Sequence, residues 1–260
     1  MVLRILFKIA LDFSAESKYK LNMFNVEKAR GKSEETRARI LDIALQSFRD
    51  RGFDATTMRE VASEAGMALG AAYYYFPGKD AIIQAYYEEV QVEHQRRVTL
   101  ALAGKELELK ERLRIAMHAK LDILQNDRKI LGAIFRYAGE PNHPLCVLGP
   151  GTLELRRQSI AIFAQAVGDE SLPSDIREFL PAALWSLHMA ILLYFIYDES
   201  QAQQRTRRLV DGALDLGIRL IALVRFPILK PLRGSLLQLL LEAGLLPPSS
   251  AVLSATEERQ

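Results

Sequence analysis

Apolar residues recur at three- and four-residue steps from Ser33 to Phe226, and the pattern breaks only at glycine, proline and short polar runs. Such spacing lays apolar side chains along one stripe of a helix, and no alternating stretch is long enough for a strand. A chain patterned this way buries its stripes by packing helix on helix, so the expected fold class is all-α. No segment repeats itself along the sequence.

Ser33 can cap a first helix, with Glu34 and Glu35 in its first turn and Ile40, Leu41, Ala44, Leu45 and Phe48 along its apolar face. Gly31-Lys32-Ser33 reads as a polar break before it. Gly52 follows Arg51 where a residue free to take positive φ would end the helix. Further helices are expected over residues 79–103, 107–125, 127–137, 152–167, 172–198 and 201–226. Pro181 is expected to kink or restart the fifth of these. Between the third and fourth, Gly139, Pro141, Pro144, Gly149, Pro150 and Gly151 crowd into a loop.

The run from Thr56 to Ile82, TTMREVASEAGMALGAAYYYFPGKDAI, carries the most information. Thr57 stands where a helix N-cap belongs, with Glu60 three residues on, the spacing of a capping box. Val61, Ala62 and Ala65 give a short helix its apolar face. Gly66 supplies a tight turn, and a second short helix is expected over residues 68–76. Two short helices so joined form a helix-turn-helix, whose second helix enters the DNA major groove. That helix holds Tyr73, Tyr74 and Tyr75 in succession. Consecutive helical residues point about 100° apart, so the three cannot all face one core. Outward tyrosines beside alanine and glycine suit a surface pressed on DNA, with phenolic groups bonding phosphates. The same patch would also suit a protein partner.

Charge does not announce a nucleic-acid binder. The net charge is +2, and residues 28–79 hold nine basic against seven acidic side chains. The DNA reading therefore rests on where charges lie. The one cysteine, Cys146, allows no internal disulfide and no multi-cysteine metal site. It reads as a small apolar residue in a reducing compartment. Arg4 and Lys8 interrupt the apolar start of the chain, which is read as a poorly ordered extension over residues 1–31 and not as a signal peptide. A second reading makes Lys18, Lys20, Lys28, Arg30 and Lys32 a basic arm on DNA. No stretch reaches about 18 uninterrupted apolar residues, so no membrane span is expected.

The sequence from Thr36 to Lys79 resembles the TetR/AcrR family of bacterial one-component repressors. The matching residues are Thr36, Arg37, Ile40, Leu41, Ala44 and Phe48, then Gly52-Phe53, Thr56-Thr57, Val61-Ala62, Ala65-Gly66, Gly70, Tyr73, Phe76 and Lys79. The resemblance implies a helix-turn-helix domain over residues 32–78 and a helical effector-binding and dimerisation domain over residues 79–227. An apolar helix and tail over residues 228–260 would follow. It implies that Tyr73 and Lys79 bind phosphates and that Thr57 caps the second helix beside the DNA backbone. It places Arg59, Ala68, Leu69, Gly70 and Tyr74 near base edges, where Arg59 could bind a guanine with about 1–3 kcal/mol of discrimination. Three residues depart from the family's usual pattern. Ala68 replaces a polar residue at the start of the second helix, Tyr75 a common histidine and Ala72 a common leucine.

The expected function is a cytoplasmic, dimeric repressor on a pseudo-palindromic double-stranded DNA operator, released by a small apolar or aromatic effector. Met117, His118, Leu121, Phe135, Phe163 and Trp185 are the candidate effector contacts. Leu184, His188, Ile191, Leu192 and Phe195 form one stripe for a homodimer interface, and Leu209, Ala213, Leu216 and Leu220 form another. His118, His143 and His188 lack carboxylates at metal-ligand spacing, so neither metal nor cofactor is expected. No phosphate-binding glycine loop or nucleophile elbow occurs, which argues against an enzyme. The alternatives are a helical adaptor that uses the Tyr73–Tyr75 patch and, with less support, an all-α enzyme.

Overall fold

A computed structural model describes residues 31–224 together with residues 231, 234, 235, 238, 239 and 242. The expected extension over residues 1–31, except Gly31, lies outside the described residues. So does the expected apolar helix and tail over residues 228–260, apart from the helical positions just named. Among the described residues all regular structure is helical. The chain divides into two compact units, Met1–Ile82 and Ile83–Gln260.

The first unit holds α1 (residues 31–50), α2 (Met58–Glu64), α3 (Leu69–Tyr75) and the start of α4 (Lys79–Leu102). Ile40, Leu41, Ala44, Leu45 and Phe48 are all buried, as their spacing requires. Ser33 is not the cap of α1. Gly31 and Lys32 are already helical, and Thr36 Oγ1 donates to the Lys32 carbonyl at 2.8 Å. A glycine within a helix costs about 1 kcal/mol relative to alanine, too little to stop this one. Gly52 does end α1, with φ at +92° and its N–H on the Phe48 carbonyl.

α2 begins at the expected capping box. The Glu60 amide donates to Thr57 Oγ1, while the Thr57 amide and hydroxyl both donate to Glu60 Oε2 at 2.7 and 2.8 Å. Its C-terminus closes in a Schellman motif: Met67 N–H reaches the Ala62 carbonyl and Gly66 N–H reaches that of Ser63. The motif needs a left-handed residue, and Gly66 supplies it at φ +67°. α3 starts at once after Ala68, which offers no side-chain cap.

The second unit continues α4 and adds α5 (Leu109–Leu124), α6 (Arg128–Ala138), α7 (Leu153–Val167), α8 (Ser174–Tyr197) and α9 (Gln204–Val224). α5 packs on α7 and α9, while α8 packs on α6, α7 and α9. α8 runs through Pro181 as one helix. Residues 176–197 have the length and mean hydropathy of a membrane span, but the side chains of Leu180, Leu184, His188, Ile191, Leu192 and Phe195 are buried in this unit's core.

Basic side chains close two helix ends here. Arg112 donates to the last carbonyls of α7, at Ala166 and Val167, and pairs with Glu170 at 3.1 Å. Arg128 donates to Ile196 near the end of α8. Each places a cation where helix carbonyls lack partners and the dipole is negative. Asp198 joins α8 to α9: its carboxylate accepts from the amides and hydroxyls of both Ser200 and Thr206. Burial would raise this carboxyl, but those four hydrogen bonds outweigh it and hold it well below the ordinary aspartate range.

Candidate nucleic-acid interface and internal cavity

α3 is too short to be stable alone, so its neighbours must fix it. Ala72 and Phe76 are its inward anchors, at 0% and 1% exposure. With those two buried, Gly70, Ala71, Tyr73 and Tyr74 are turned to solvent, and Tyr74 is 82% exposed. Tyr75 is half-buried, and its ring meets that of Tyr74 edge to face at 5.2 Å. Ala68 is exposed and Leu69 half-buried. The outer surface is thus a pair of phenols beside small residues that allow close backbone approach.

Thr57 and Arg59 are exposed at the start of α2. There the free N–H groups and the helix dipole favour an anion. Glu60 occupies part of that end, and the Thr57 hydroxyl and amide lower its pKa. Lys79 is held differently from a free phosphate ligand. Its ammonium donates to the Phe53 carbonyl at 2.6 Å and lies 4.4 Å from the centre of the Phe53 ring. The sequence pattern gave no sign of this tie, because its partner is a backbone atom 26 residues away.

The second unit holds a partly open cavity of about 100 Å³ among α4, α5, α6, α7, α8 and the loop before α7. Of the candidate effector contacts, Phe135 and Trp185 line it. Met117, Leu121 and Phe163 do not; all three are buried in the core. His118 also lies off the cavity and bonds Asp211 of α9 at 3.0 Å. Helical spacing places these four on the inner face, yet that face supplies core as well as cavity wall, and periodicity cannot separate the two.

Sequence reading missed the polar residues of the wall: Tyr87, Gln91, Lys120, Thr152, Arg156 and Ser159. Lys120 donates to Gln91 Oε1 at 3.2 Å, and Ser159 donates to the same oxygen at 2.9 Å. Burial lowers the Lys120 pKa to about 7. Next to this group lie two more buried polar side chains. His94 bonds the Ala116 carbonyl at 2.8 Å, and burial pushes its pKa down to about 3. His188 packs edge to face on Phe163 and is also held neutral by burial. A lysine at a helical core spacing was the one available signal.

The expected dimer stripes separate in the structure. Leu184, His188, Ile191, Leu192 and Phe195 are buried within the protomer, because α8 turns that stripe toward its own core. Leu209, Leu216 and Leu220 of α9 are exposed, and Ala213 is half-buried. Leu193, Tyr194 and Tyr197 form the exposed apolar face of α8 that the sequence reading did not select. Among the described residues no group of three or more His, Cys, Asp or Glu is arranged to hold a metal ion.

Comparisons with known proteins bear on this arrangement. Residues 40–86 match the bacterial regulatory proteins of the tetR family, and residues 112–233 match the tetracyclin repressor-like C-terminal domain. The repressor KstR2 of Rhodococcus jostii is 33% identical over 155 residues, 54% of this chain and 69% of its own length. The probable regulator ArpR of Pseudomonas putida is 28% identical over 133 residues, 51% of this chain. The match spans 61% of ArpR's length. A TetR-family regulator from Streptomyces coelicolor shares the fold, with a TM-score of 0.56 at 19% identity, over 87% of this chain and 96% of that one. With both matched regions on the helices described above, the chain belongs to the tetR family of bacterial regulatory proteins.

Proposed function

We propose that the chain is a dimeric, cytoplasmic transcriptional repressor that reads a pseudo-palindromic operator through α3. One observation carries the reading: Tyr73 and Tyr74 are exposed on a short helix whose position is fixed by the Schellman turn at Gly66. Large apolar rings at a surface need a partner, and small residues beside them suit a groove. Tyr73, Thr57 and Lys79 bind phosphates, and Lys79 does so with the protons left over from its bond to Phe53. Arg59, Ala68, Leu69, Gly70 and Tyr74 face the bases, where alanine and leucine read thymine methyl groups.

The exposed apolar residues of α8 and α9 form the homodimer interface. Leu216 and Leu220 pack with Leu193, Tyr194 and Tyr197 against the same residues of a second copy. A small molecule with an apolar or aromatic body enters the cavity beside Phe135 and Trp185 and favours a form that no longer matches the operator. Footprinting on the DNA beside its own gene tests the reading. Two protected half-sites about one helical turn apart are expected. Protection of unrelated duplex to the same extent would overturn it.

A further inference from the structure

The cavity wall is apolar apart from Tyr87, Gln91, Lys120, Thr152, Arg156 and Ser159. No Asp or Glu lines it, yet two cations do, Lys120 from α5 and Arg156 from α7. Among the described residues neither cation has a carboxylate partner. Lys120 bonds only Gln91, and Arg156 bonds the Val147 carbonyl at 2.7 Å. Even a half-buried ammonium without a counter-ion is disfavoured, and burial acts to neutralise it.

Gln91 sharpens the pattern. In its protonated form Lys120 donates to the Gln91 carbonyl oxygen at 3.2 Å. That oxygen already accepts from both Lys120 and Ser159. Its amide Nε2 is buried and has no partner among the described residues. The polar patch therefore holds a lysine with no carboxylate partner and an unused N–H donor, with the Gln91 oxygen occupied. Its complement is an acceptor that carries negative charge.

Resting on the reading of this cavity as the effector site, we propose that the ligand is an apolar molecule with one carboxylate head, bound by Lys120 and Gln91. The apolar body lies along Leu124, Leu131, Phe135, Trp185 and Leu192. Arg156 adds positive potential from the opposite helix. Of the groups around Lys120 at the wall, Arg156 alone is charged, and it is a cation. α4 presents Tyr87, Gln91 and His94, α7 presents Arg156 and Ser159, and α8 brings His188. The residues of α6 at the wall, Leu131 and Phe135, are apolar. None of these supplies a negative charge, and the carboxylates Asp122 of α5 and Asp211 of α9 are paired with Arg207 and with Arg114 and His118 respectively, so a ligand carboxylate complements the wall. Because burial leaves the Lys120 pKa near 7, an arriving carboxylate restores its proton.

Calorimetric titration of the full chain with octanoate, 1-octanol and octylammonium tests this. Octanoate is expected to bind at least about tenfold more tightly than octanol, and octylammonium not at all. At about pH 8, octanoate binding should take up a fraction of a proton, read from buffers of different ionisation enthalpy. Lys120→Met should abolish that uptake and weaken octanoate at least about tenfold, while octanol binding stays within a few-fold. Lys120→Gln, which keeps a polar group, should show the same loss if the methionine variant fails to fold. Octanol binding as tightly as octanoate would overturn the carboxylate proposal and leave the effector cavity standing. No binding by any of the three would overturn both. Lys120-dependent octanoate binding that leaves DNA affinity unchanged would uphold the anion site and overturn release by ligand.

Discussion

Lys79 Nζ lies 2.6 Å from the Phe53 carbonyl oxygen and 4.4 Å from the centre of the same residue's ring. One side chain thus ties the first residue of α4 to the loop between α1 and α2. The hydrogen bond and the cation–π contact each fix the loop that leads into the capped start of α2.

Lys79→Met keeps the stem and removes both contacts. Because the site is half-exposed, the expected loss of stability is about 1–2 kcal/mol, measurable by urea unfolding. The same variant should bind DNA more weakly and show a salt dependence shallower by about one phosphate contact.

Gly66 and Gly70 should respond oppositely to the same substitution. Gly66→Ala places a Cβ at φ +67° and is expected to cost about 1–2 kcal/mol. Gly70 sits in ordinary helical backbone with open space around its Cα. Gly70→Ala should leave thermal stability unchanged or raise it, by up to about 1 kcal/mol. It should still lower DNA affinity, since the added methyl stands on the surface assigned to the groove.

Asp198 gives the fold a defined acid sensitivity. Its folded pKa lies below the ordinary aspartate value of 3.8, so its stabilisation is complete above that value and is lost as pH falls below it. Asp198→Ala should destabilise the second unit by about 2 kcal/mol at neutral pH. The gap between wild type and variant should stay constant down to about pH 5 and shrink below about pH 4. A gap that widened in acid would contradict the assignment.

Leu216 and Leu220 are 59% and 50% exposed on α9. Replacing both with glutamate should give a monomer by sedimentation, with the helical circular dichroism of the wild type retained. Leu192, buried at 4% exposure, should behave differently: Leu192→Ala should lower stability by about 2–5 kcal/mol through cavity formation.

The sequence made some of this legible and hid the rest for physical reasons. Helix positions followed from apolar spacing, and the capping box at Thr57 and the turn at Gly66 followed from residue types with few other uses. That some of Tyr73, Tyr74 and Tyr75 face outward followed from helical geometry, while the choice of Tyr73 and Tyr74 followed from the family resemblance. The stripe at Leu184, His188 and Ile191 was visible as apolar, but a stripe does not state whether it faces its own core or a second copy. The cavity wall was hidden further, because Gln91, Lys120 and Ser159 come together from three helices with no local motif. Lys79 was seen as a cation, while its backbone partner carries no side-chain signal.

Affinity for the duplex flanking its own gene, read by fluorescence anisotropy for wild type, Tyr73→Phe and Tyr73→Ala, tests the central claim most directly. Wild type is expected to prefer that duplex over unrelated DNA and to lose affinity steeply with salt. Tyr73→Phe should lose about tenfold through the phosphate hydrogen bond, and Tyr73→Ala more, with the dimer intact in both. Equal affinity for unrelated duplex, or full affinity in Tyr73→Ala, would contradict the reading of α3 as the DNA-recognition helix.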